Sequence, residues 1–231
     1  MDSVKEEMQE SRFVSVLGDS ISTFAEVSPP GGVYYAPSAG PVTGVASAED
    51  TWWMRTIRGL GGTLLRNDSW SGSTVSPGGA MPAGSPSRIR RLATGEHMPD
   101  VVLVMTGLND VNGSIDPSIF TRAYEGMLHQ LRTAYPSAAI WCGTLVTGYL
   151  GESPFWQAFS YFRSRLDPYN EGIRRAALCT GCHVADLAAA GVQYASLDGL
   201  HPNGVGMAQL AAAWLGCMGA GSDEKADRIK D

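Results

Sequence analysis

Asp100-Val101-Val102-Leu103-Val104-Met105 is the stretch of this 231-residue chain that decides its fold class. After its first residue the stretch is continuously apolar, a pattern typical of a strand that is covered on both faces in a parallel sheet. Four further segments have strand-like patterns, at residues 13–17, 63–66, 139–146 and 183–187. The sequence therefore predicts a sheet of five parallel strands.

Helical patterns alternate with these strands. Helices are predicted at residues 51–60, 117–135, 155–178 and 203–218, the last with apolar residues at helical spacing. Alternating strands and helices imply right-handed crossovers and a parallel sheet with helices on both faces. The predicted fold class is therefore α/β.

One domain is predicted over residues 12–218. Residues 1–11 are expected to form a flexible, charged N-terminus, and residues 219–231 a flexible, polar C-terminal tail. Within the domain, residues 27–48 and 76–87 are rich in Gly and Pro and predict two long irregular loops. Long loops inside compact domains are often functional, and both follow soon after candidate catalytic segments.

Composition and charge exclude several classes of partner. Hydrophobic residues make up 44% of the chain, enough for a sizeable core, and the formal net charge is -6. No basic footprint indicates nucleic acid, and an anionic membrane surface is equally disfavoured. The chain has no apolar run of about 18 residues, and its first residues lack a signal-peptide pattern. A cytoplasmic location is therefore predicted, and the oligomeric state is left open.

A serine follows the first predicted strand in the segment Gly18-Asp19-Ser20. This is the carboxyl end of the strand, where open α/β sheets bind their ligands. A Gly-Asp-Ser tripeptide is by itself more typical of a turn or a helix cap. The segment indicates a nucleophile only in combination with others.

A general base and its carboxylate are predicted in Asp198-Gly199-Leu200-His201-Pro202. Three residues apart on a turn, the Asp198 carboxylate can accept a hydrogen bond from His201 Nδ1, which leaves Nε2 free to take a serine proton. In isolation the same pattern is typical of a capping aspartate and a surface histidine.

Three donors could stabilise a developing oxyanion. They are the backbone N–H of Ser20, the backbone N–H of Gly72 after the second strand, and the carboxamide of Asn109 after the third. Gly72 has no side chain and can approach closely, although a turn glycine and a loop asparagine are the simpler explanations. Their shared position at one edge of the predicted sheet favours acyl transfer at a serine.

These four segments, in this order, resemble the sequence blocks of the SGNH hydrolases, also called GDSL esterases or lipases. The resemblance extends from residue 13 to about residue 214. It implies a flavodoxin-like three-layer α/β/α sandwich and no metal or organic cofactor. It further implies that Ser20 is the nucleophile, that Asp198 and His201 complete the triad, and that Ser20, Gly72 and Asn109 form the oxyanion hole.

Two departures from the family pattern are visible. Ile21 replaces the leucine of the family name, an apolar residue for an apolar residue, and Trp70 stands where smaller residues are common. Trp70, Tyr149 and Trp156 are predicted to form walls of the substrate pocket.

The predicted partner is a small-molecule ester with a short acyl chain, and an acetylated carbohydrate is one candidate. Acyl transfer to another acceptor and thioester hydrolysis use the same triad and stay open. A non-catalytic ligand-binding protein on this fold is the rival from another class.

The segment Cys179-Thr180-Gly181-Cys182-His183 matches the pattern of c-type haem attachment. That chemistry requires export, which the sequence does not indicate. The four cysteines of the chain are therefore expected to be reduced thiols, and no cofactor is predicted.

Overall fold

A five-stranded parallel sheet forms the centre of the protein, in a computed structural model that describes residues 12–150 and 165–227. Its strands are β1 (Arg12–Gly18), β2 (Gly62–Ser69), β3 (Val101–Met105), β4 (Ala139–Gly143) and, after a short strand β5 (Gly148–Tyr149), β6 (His183–Ala185). Their spatial order is β2-β1-β3-β4-β6, and every neighbouring pair is parallel. β5 pairs with β7 (Tyr194–Ala195) in a separate two-stranded sheet.

Helices pack around the sheet. The described helices are α1 (Gly40–Thr43), α2 (Trp52–Gly59), α3 (Pro86–Arg90), α4 (Leu108–Asn112), α5 (Pro117–Ala134), α6 (Asp167–Thr180) and α7 (Gly204–Asp227). α2 packs against α7, whereas α5 packs against α6 and α3. The predicted flavodoxin-like α/β/α sandwich is confirmed.

The core lies between these layers. All five residues of β3 are buried, as expected for a central parallel strand. Trp52 of α2 stacks on Trp214 of α7 with ring centroids 5.0 Å apart. Gly143 lies under the Trp214 ring, where an added Cβ would come within 2.6 Å of it. The packing of these helices thus depends on large aromatic side chains matched to small strand residues.

Two strands are shorter than predicted, because other hydrogen bonds replace those of the sheet at their ends. β4 ends at Gly143 rather than at residue 146, since the Asn170 carboxamide bonds both the N–H and the carbonyl of Leu145, at 2.7 and 3.0 Å. β6 ends at Ala185 rather than at residue 187, because the N–H of Leu187 donates to the carbonyl of Ala185 at 2.9 Å and the chain turns there.

Two helices differ from their predicted bounds. α6 begins at Asp167, and the predicted start near residue 155 lies outside the described residues. α7 continues to Asp227 instead of ending at residue 218, so most of the predicted tail is helical. The predicted N-terminal segment 1–11 is also outside the described residues.

The carboxyl ends of three neighbouring strands lie side by side. Gly18 at the end of β1 is in register with Ser69 of β2 and with Met105 of β3. The loops that follow these strands carry three of the four candidate segments. No helix within residues 12–150 and 165–227 has the length and apolar character needed to cross a membrane.

Candidate active site

Ser20 begins a single 3-10 turn directly after β1. Residues Ser20–Ser22 form this turn, and the Asp19 carboxylate caps it by accepting a hydrogen bond from the N–H of Ile21 at 3.1 Å. A Cβ on Gly18 would lie 2.6 Å from the Ser22 side chain, so the tight return of the chain needs glycine there. The turn holds the Ser20 hydroxyl at the edge of the sheet.

Ser20, His201 and Asp198 form a continuous chain of hydrogen bonds. His201 Nε2 is 2.9 Å from Ser20 Oγ, and His201 Nδ1 is 2.6 Å from Asp198 Oδ2. With the proton on Nδ1 donated to the carboxylate, Nε2 is the acceptor for the serine hydroxyl. The structure therefore brings together residues that are 181 positions apart in the sequence.

The carboxylate of Asp198 is oriented by its own turn. Its Oδ1 accepts hydrogen bonds from the N–H groups of Leu200 at 2.9 Å and of His201 at 2.7 Å. Partial burial raises the pKa of Asp198, but the bonds from the His201 ring and from the two N–H groups outweigh it and lower the pKa to about 2. The side chain is therefore ionised over the whole neutral range.

Two of the three predicted oxyanion donors are backbone N–H groups. Within the described part of the chain, the N–H groups of Ser20 and Gly72 donate to no protein acceptor. Gly72 has a φ of 74°, a left-handed conformation that favours glycine. Asn109 lies in the first turn of α4, and its Nδ2 donates to the carbonyl of Ser73 at 2.9 Å. This bond ties the third predicted donor to the loop that contains the second.

A fully buried arginine, which sequence analysis missed, holds the strand ends together. Arg88 donates to the carbonyl of Gly18 at 3.0 Å, to Ser73 Oγ at 2.5 Å and to the carbonyl of Met81 at 2.6 Å. Its charge is balanced by Asp68, 2.8 Å away and 2% exposed, which also pairs with Arg91. Burial lowers the pKa of Arg88, and the charge of Asp68 opposes that change. One side chain thus links the segment before Ser20 to the segment after Gly72.

Asp110 fixes the loop after β2 from the other side. Its buried carboxylate accepts hydrogen bonds from the N–H groups of Val75 at 2.8 Å and Ser76 at 2.9 Å. Asp19 and Asp110 thus both accept hydrogen bonds from backbone N–H groups beside the candidate catalytic residues.

Asp19 lies in a different electrostatic environment from Asp198. Burial raises its pKa to about 6, although the hydrogen bond from Ile21 and the nearby charges of His201 and Arg88 favour the ionised form. Asp19 therefore titrates in a pH range in which Asp198 stays charged.

Tyr34 covers the imidazole of His201. The two rings are parallel within 5°, with centroids 3.7 Å apart, and the Tyr34 hydroxyl is 3.5 Å from Asp198 Oδ2. Sequence analysis noted no role for this residue. The only signal in the sequence is an aromatic pair, Tyr34-Tyr35, inside a Gly- and Pro-rich loop.

The three predicted substrate-binding residues lie in different surroundings, and one of them lies outside the described residues. The Trp70 indole packs on Gly32 and donates to Asp68 at 3.1 Å, so one face of the ring is used in packing. Tyr149 is in β5, with its hydroxyl 3.5 Å from Gln209 Nε2. Trp156 lies outside the described residues. Contact of Trp70 and Tyr149 with a substrate stays a prediction.

The described residues contain no cluster of three or more His, Cys, Asp or Glu side chains that could hold a metal ion. The chemistry available at this edge of the sheet is that of a serine, an imidazole, a carboxylate and several N–H donors.

Solved structures with a similar fold include carbohydrate esterases. A protein of Bacteroides uniformis assigned as a GDSL-like lipase is 26% identical, with a TM-score of 0.64 over 89% of this chain and 94% of that one. Est24, a carbohydrate acetylesterase from Sinorhizobium meliloti, is 19% identical, with a TM-score of 0.64 over 91% and 99%. A family two carbohydrate esterase from Clostridium thermocellum is 19% identical, with a TM-score of 0.59 over 89% and 62%.

No curated protein sequence matches the chain. The family model of the GDSL-like lipases and acylhydrolases, however, matches residues 16–209, which include every described segment of the candidate site. The match covers well over half of the sequence and agrees with the folds of the solved structures. The chain belongs to the GDSL-like lipase/acylhydrolase family.

Proposed function

We propose that this enzyme hydrolyses carboxylic esters through Ser20, His201 and Asp198. The observation that carries the proposal is the pair of hydrogen bonds at His201, 2.9 Å to Ser20 Oγ and 2.6 Å to Asp198 Oδ2. A nucleophile, a base and an orienting carboxylate connected in this way are what acyl transfer at a serine requires.

In the proposed first half-reaction, His201 takes the proton of Ser20 as Oγ bonds to the ester carbonyl carbon. The tetrahedral oxyanion accepts hydrogen bonds from the N–H groups of Ser20 and Gly72 and from the Asn109 carboxamide. His201 then gives the proton to the leaving alcohol, and the acyl group stays on Ser20. Water, deprotonated by His201, releases the acid and restores the hydroxyl of Ser20.

For the substrate we propose a short acyl group, such as acetyl, on a carbohydrate. Support comes from the acetylesterase and carbohydrate esterases among the solved structures of similar fold. Their identity to this chain is 19%, so they support the fold directly and the substrate class by analogy.

Fluorophosphonate labelling tests the nucleophile. The probe bonds its phosphorus to an activated serine oxygen and loses fluoride, and peptide mass spectrometry then locates the modified residue. We expect Ser20 to be labelled in the parent and no labelling in Ser20→Ala. Ser38→Ala, which changes an exposed serine in the 27–48 loop, serves as the matched control and should be labelled like the parent. Labelling at another serine would contradict the assignment.

Turnover of a panel of p-nitrophenyl esters tests the reaction and the acyl length. We expect the acetate to be hydrolysed faster than the octanoate, and Ser20→Ala to lower kcat by at least about 10^4-fold. Acetate release from a peracetylated monosaccharide tests the carbohydrate. An acyl thioester cleaved faster than every oxygen ester, or transfer to an added alcohol in place of water, would redirect the proposal to a thioesterase or an acyltransferase.

A further inference from the structure

The imidazole of His201 is held at both of its nitrogens and is covered on one face. Hydrogen bonds at Nδ1 and Nε2 fix two points on the ring edge, and the ring can still tilt about the line that joins them. One face of the ring is covered by Tyr34, parallel within 5° and 3.7 Å away between centroids. With this cover the His201 side chain is only 18% exposed, although it lies at the surface edge of the sheet.

We infer that Tyr34 is a positioning residue that keeps the His201 imidazole in the plane shared by Ser20 and Asp198. The inference rests on the proposed function and adds to it a residue outside the family's sequence blocks. Stacking opposes tilting of the ring, and the electron-rich face of a phenol favours the imidazolium that forms during acyl transfer.

The backbone of Tyr34 is anchored to the turn that carries the nucleophile. Its N–H donates to Thr23 Oγ1 at 2.8 Å, and the Thr23 hydroxyl donates to the carbonyl of Ser20 at 2.9 Å. The neighbouring carbonyl of Tyr35 accepts from the N–H of Ala25 at 2.8 Å. These bonds fix the position of the loop relative to Ser20.

The same loop is also anchored to the segment that carries the base. The buried hydroxyl of Tyr35 donates to the carbonyl of Pro202, the residue after His201, at 2.8 Å. The Tyr34 hydroxyl lies 3.5 Å from Asp198 Oδ2, the oxygen that accepts from His201 Nδ1. Partial burial and the charge of Asp198 raise the pKa of Tyr34, so its hydroxyl stays protonated and can donate. Tyr34 thus contacts the base and its carboxylate while its loop is tied to the nucleophile.

Two variants distinguish the effect of the Tyr34 ring from that of its hydroxyl. Tyr34→Phe keeps the stacked ring, and Tyr34→Ala removes it; the residue is 38% exposed, so neither change empties the core. The matched control is Val33→Ala, in the same loop and equally 38% exposed. We expect Tyr34→Ala to lower kcat on p-nitrophenyl acetate about 10-fold with KM within about 2-fold of the parent. Tyr34→Phe should stay within about 3-fold, and Val33→Ala should match the parent.

A spectroscopic measurement reports on the ring directly. The Nδ1 proton shared by His201 and Asp198 gives a downfield proton resonance, which is visible only when its exchange with water is slow. We expect the resonance in the parent and in Tyr34→Phe, and its broadening in Tyr34→Ala.

Several outcomes would overturn the inference. Unchanged kcat and an unchanged resonance in Tyr34→Ala would do so, as would a raised KM with kcat intact, because Tyr34 would then bind substrate instead. An equal loss in Tyr34→Phe and Tyr34→Ala would assign the effect to the hydroxyl and reject stacking. If the parent hydrolyses no ester, the proposed function fails, while the resonance still decides the role of Tyr34.

Discussion

The two halves of the candidate site are held by different means. Ser20, Gly72 and Asn109 follow strand ends, and their segments are held by the buried Asp68–Arg88 ion pair and by the buried Asp110 carboxylate. His201 and Asp198 lie on a turn between β7 and α7, held by hydrogen bonds within the turn and by Tyr34.

The two halves also differ in their aspartates. Burial raises the pKa of Asp19 in the strand-end half to about 6, whereas hydrogen bonds lower that of Asp198 in the turn half to about 2. We therefore expect the buried groups that hold the strand-end half to contribute mainly to stability, and Asp198 in the turn half to contribute mainly to activity.

The first expected effect that separates the two halves is on activity, in the turn half. Asp198→Asn removes the negative charge that orients His201 and stabilises its imidazolium, so kcat on p-nitrophenyl acetate should fall about 10^4-fold. The free energy of unfolding at neutral pH should change by only about 1 kcal/mol, because the side chain is 47% exposed. Urea unfolding of the same preparation is the control. A loss of folding in place of activity would contradict the division between the halves.

The second effect is on stability, in the strand-end half. Arg88→Met leaves the buried Asp68 carboxylate without its buried partner and removes the hydrogen bonds from Arg88 to Gly18, Ser73 and Met81, which should cost about 3–5 kcal/mol of unfolding free energy. Arg91→Met is the matched control, because Arg91 binds the same carboxylate but is 42% exposed, and about 1 kcal/mol or less is expected. Equal losses in urea unfolding would show that burial does not distinguish the two pairs.

The strand-end half was also the more predictable part of the site. The apolar run before residue 106 identifies β3, and parallel pairing then brings Gly18, Ser69 and Met105 to one edge. Side chains shortly after those positions converge because of the sheet, so their proximity follows from the pattern of strands. In the turn half, the Asp-x-x-His spacing predicts the contact between Asp198 and His201.

Arg88 and Tyr34 were beyond prediction for physical reasons. Arginine is almost never fully buried, and nothing in the sequence around Arg88 indicates a buried charge whose partner is 20 residues away. Tyr34 lies in a loop whose path depends on long-range bonds, such as that from Tyr35 to Pro202. Such loops have no periodic pattern from which a contact could be inferred.

The third effect is a pH dependence of stability, and it comes from the buried Asp19. The pKa of Asp19 is about 6 in the folded protein and near 3.8 when unfolded, so the folded state binds this proton more tightly. The free energy of unfolding should therefore fall as the pH rises from about 4 to about 6.

Asp19→Asn, which resembles the protonated side chain, should remove that fall. Its stability relative to the parent should increase by about 2–3 kcal/mol between those pH values. Urea unfolding of both proteins across the range measures the difference. A difference that does not vary with pH would mean that burial does not raise this pKa.

The smallest expected effect has the opposite sign and belongs to Asp198. Its pKa is about 2 in the folded protein against 3.8 when unfolded, so its contribution is complete above about pH 4 and is lost as the pH falls towards 2. Exposure of about half the side chain limits the contribution to about 1 kcal/mol. The difference in unfolding free energy between the parent and Asp198→Asn should therefore shrink only below pH 4. A difference that instead changed between pH 4 and 6, as expected for Asp19, would mean that the two halves share one electrostatic environment.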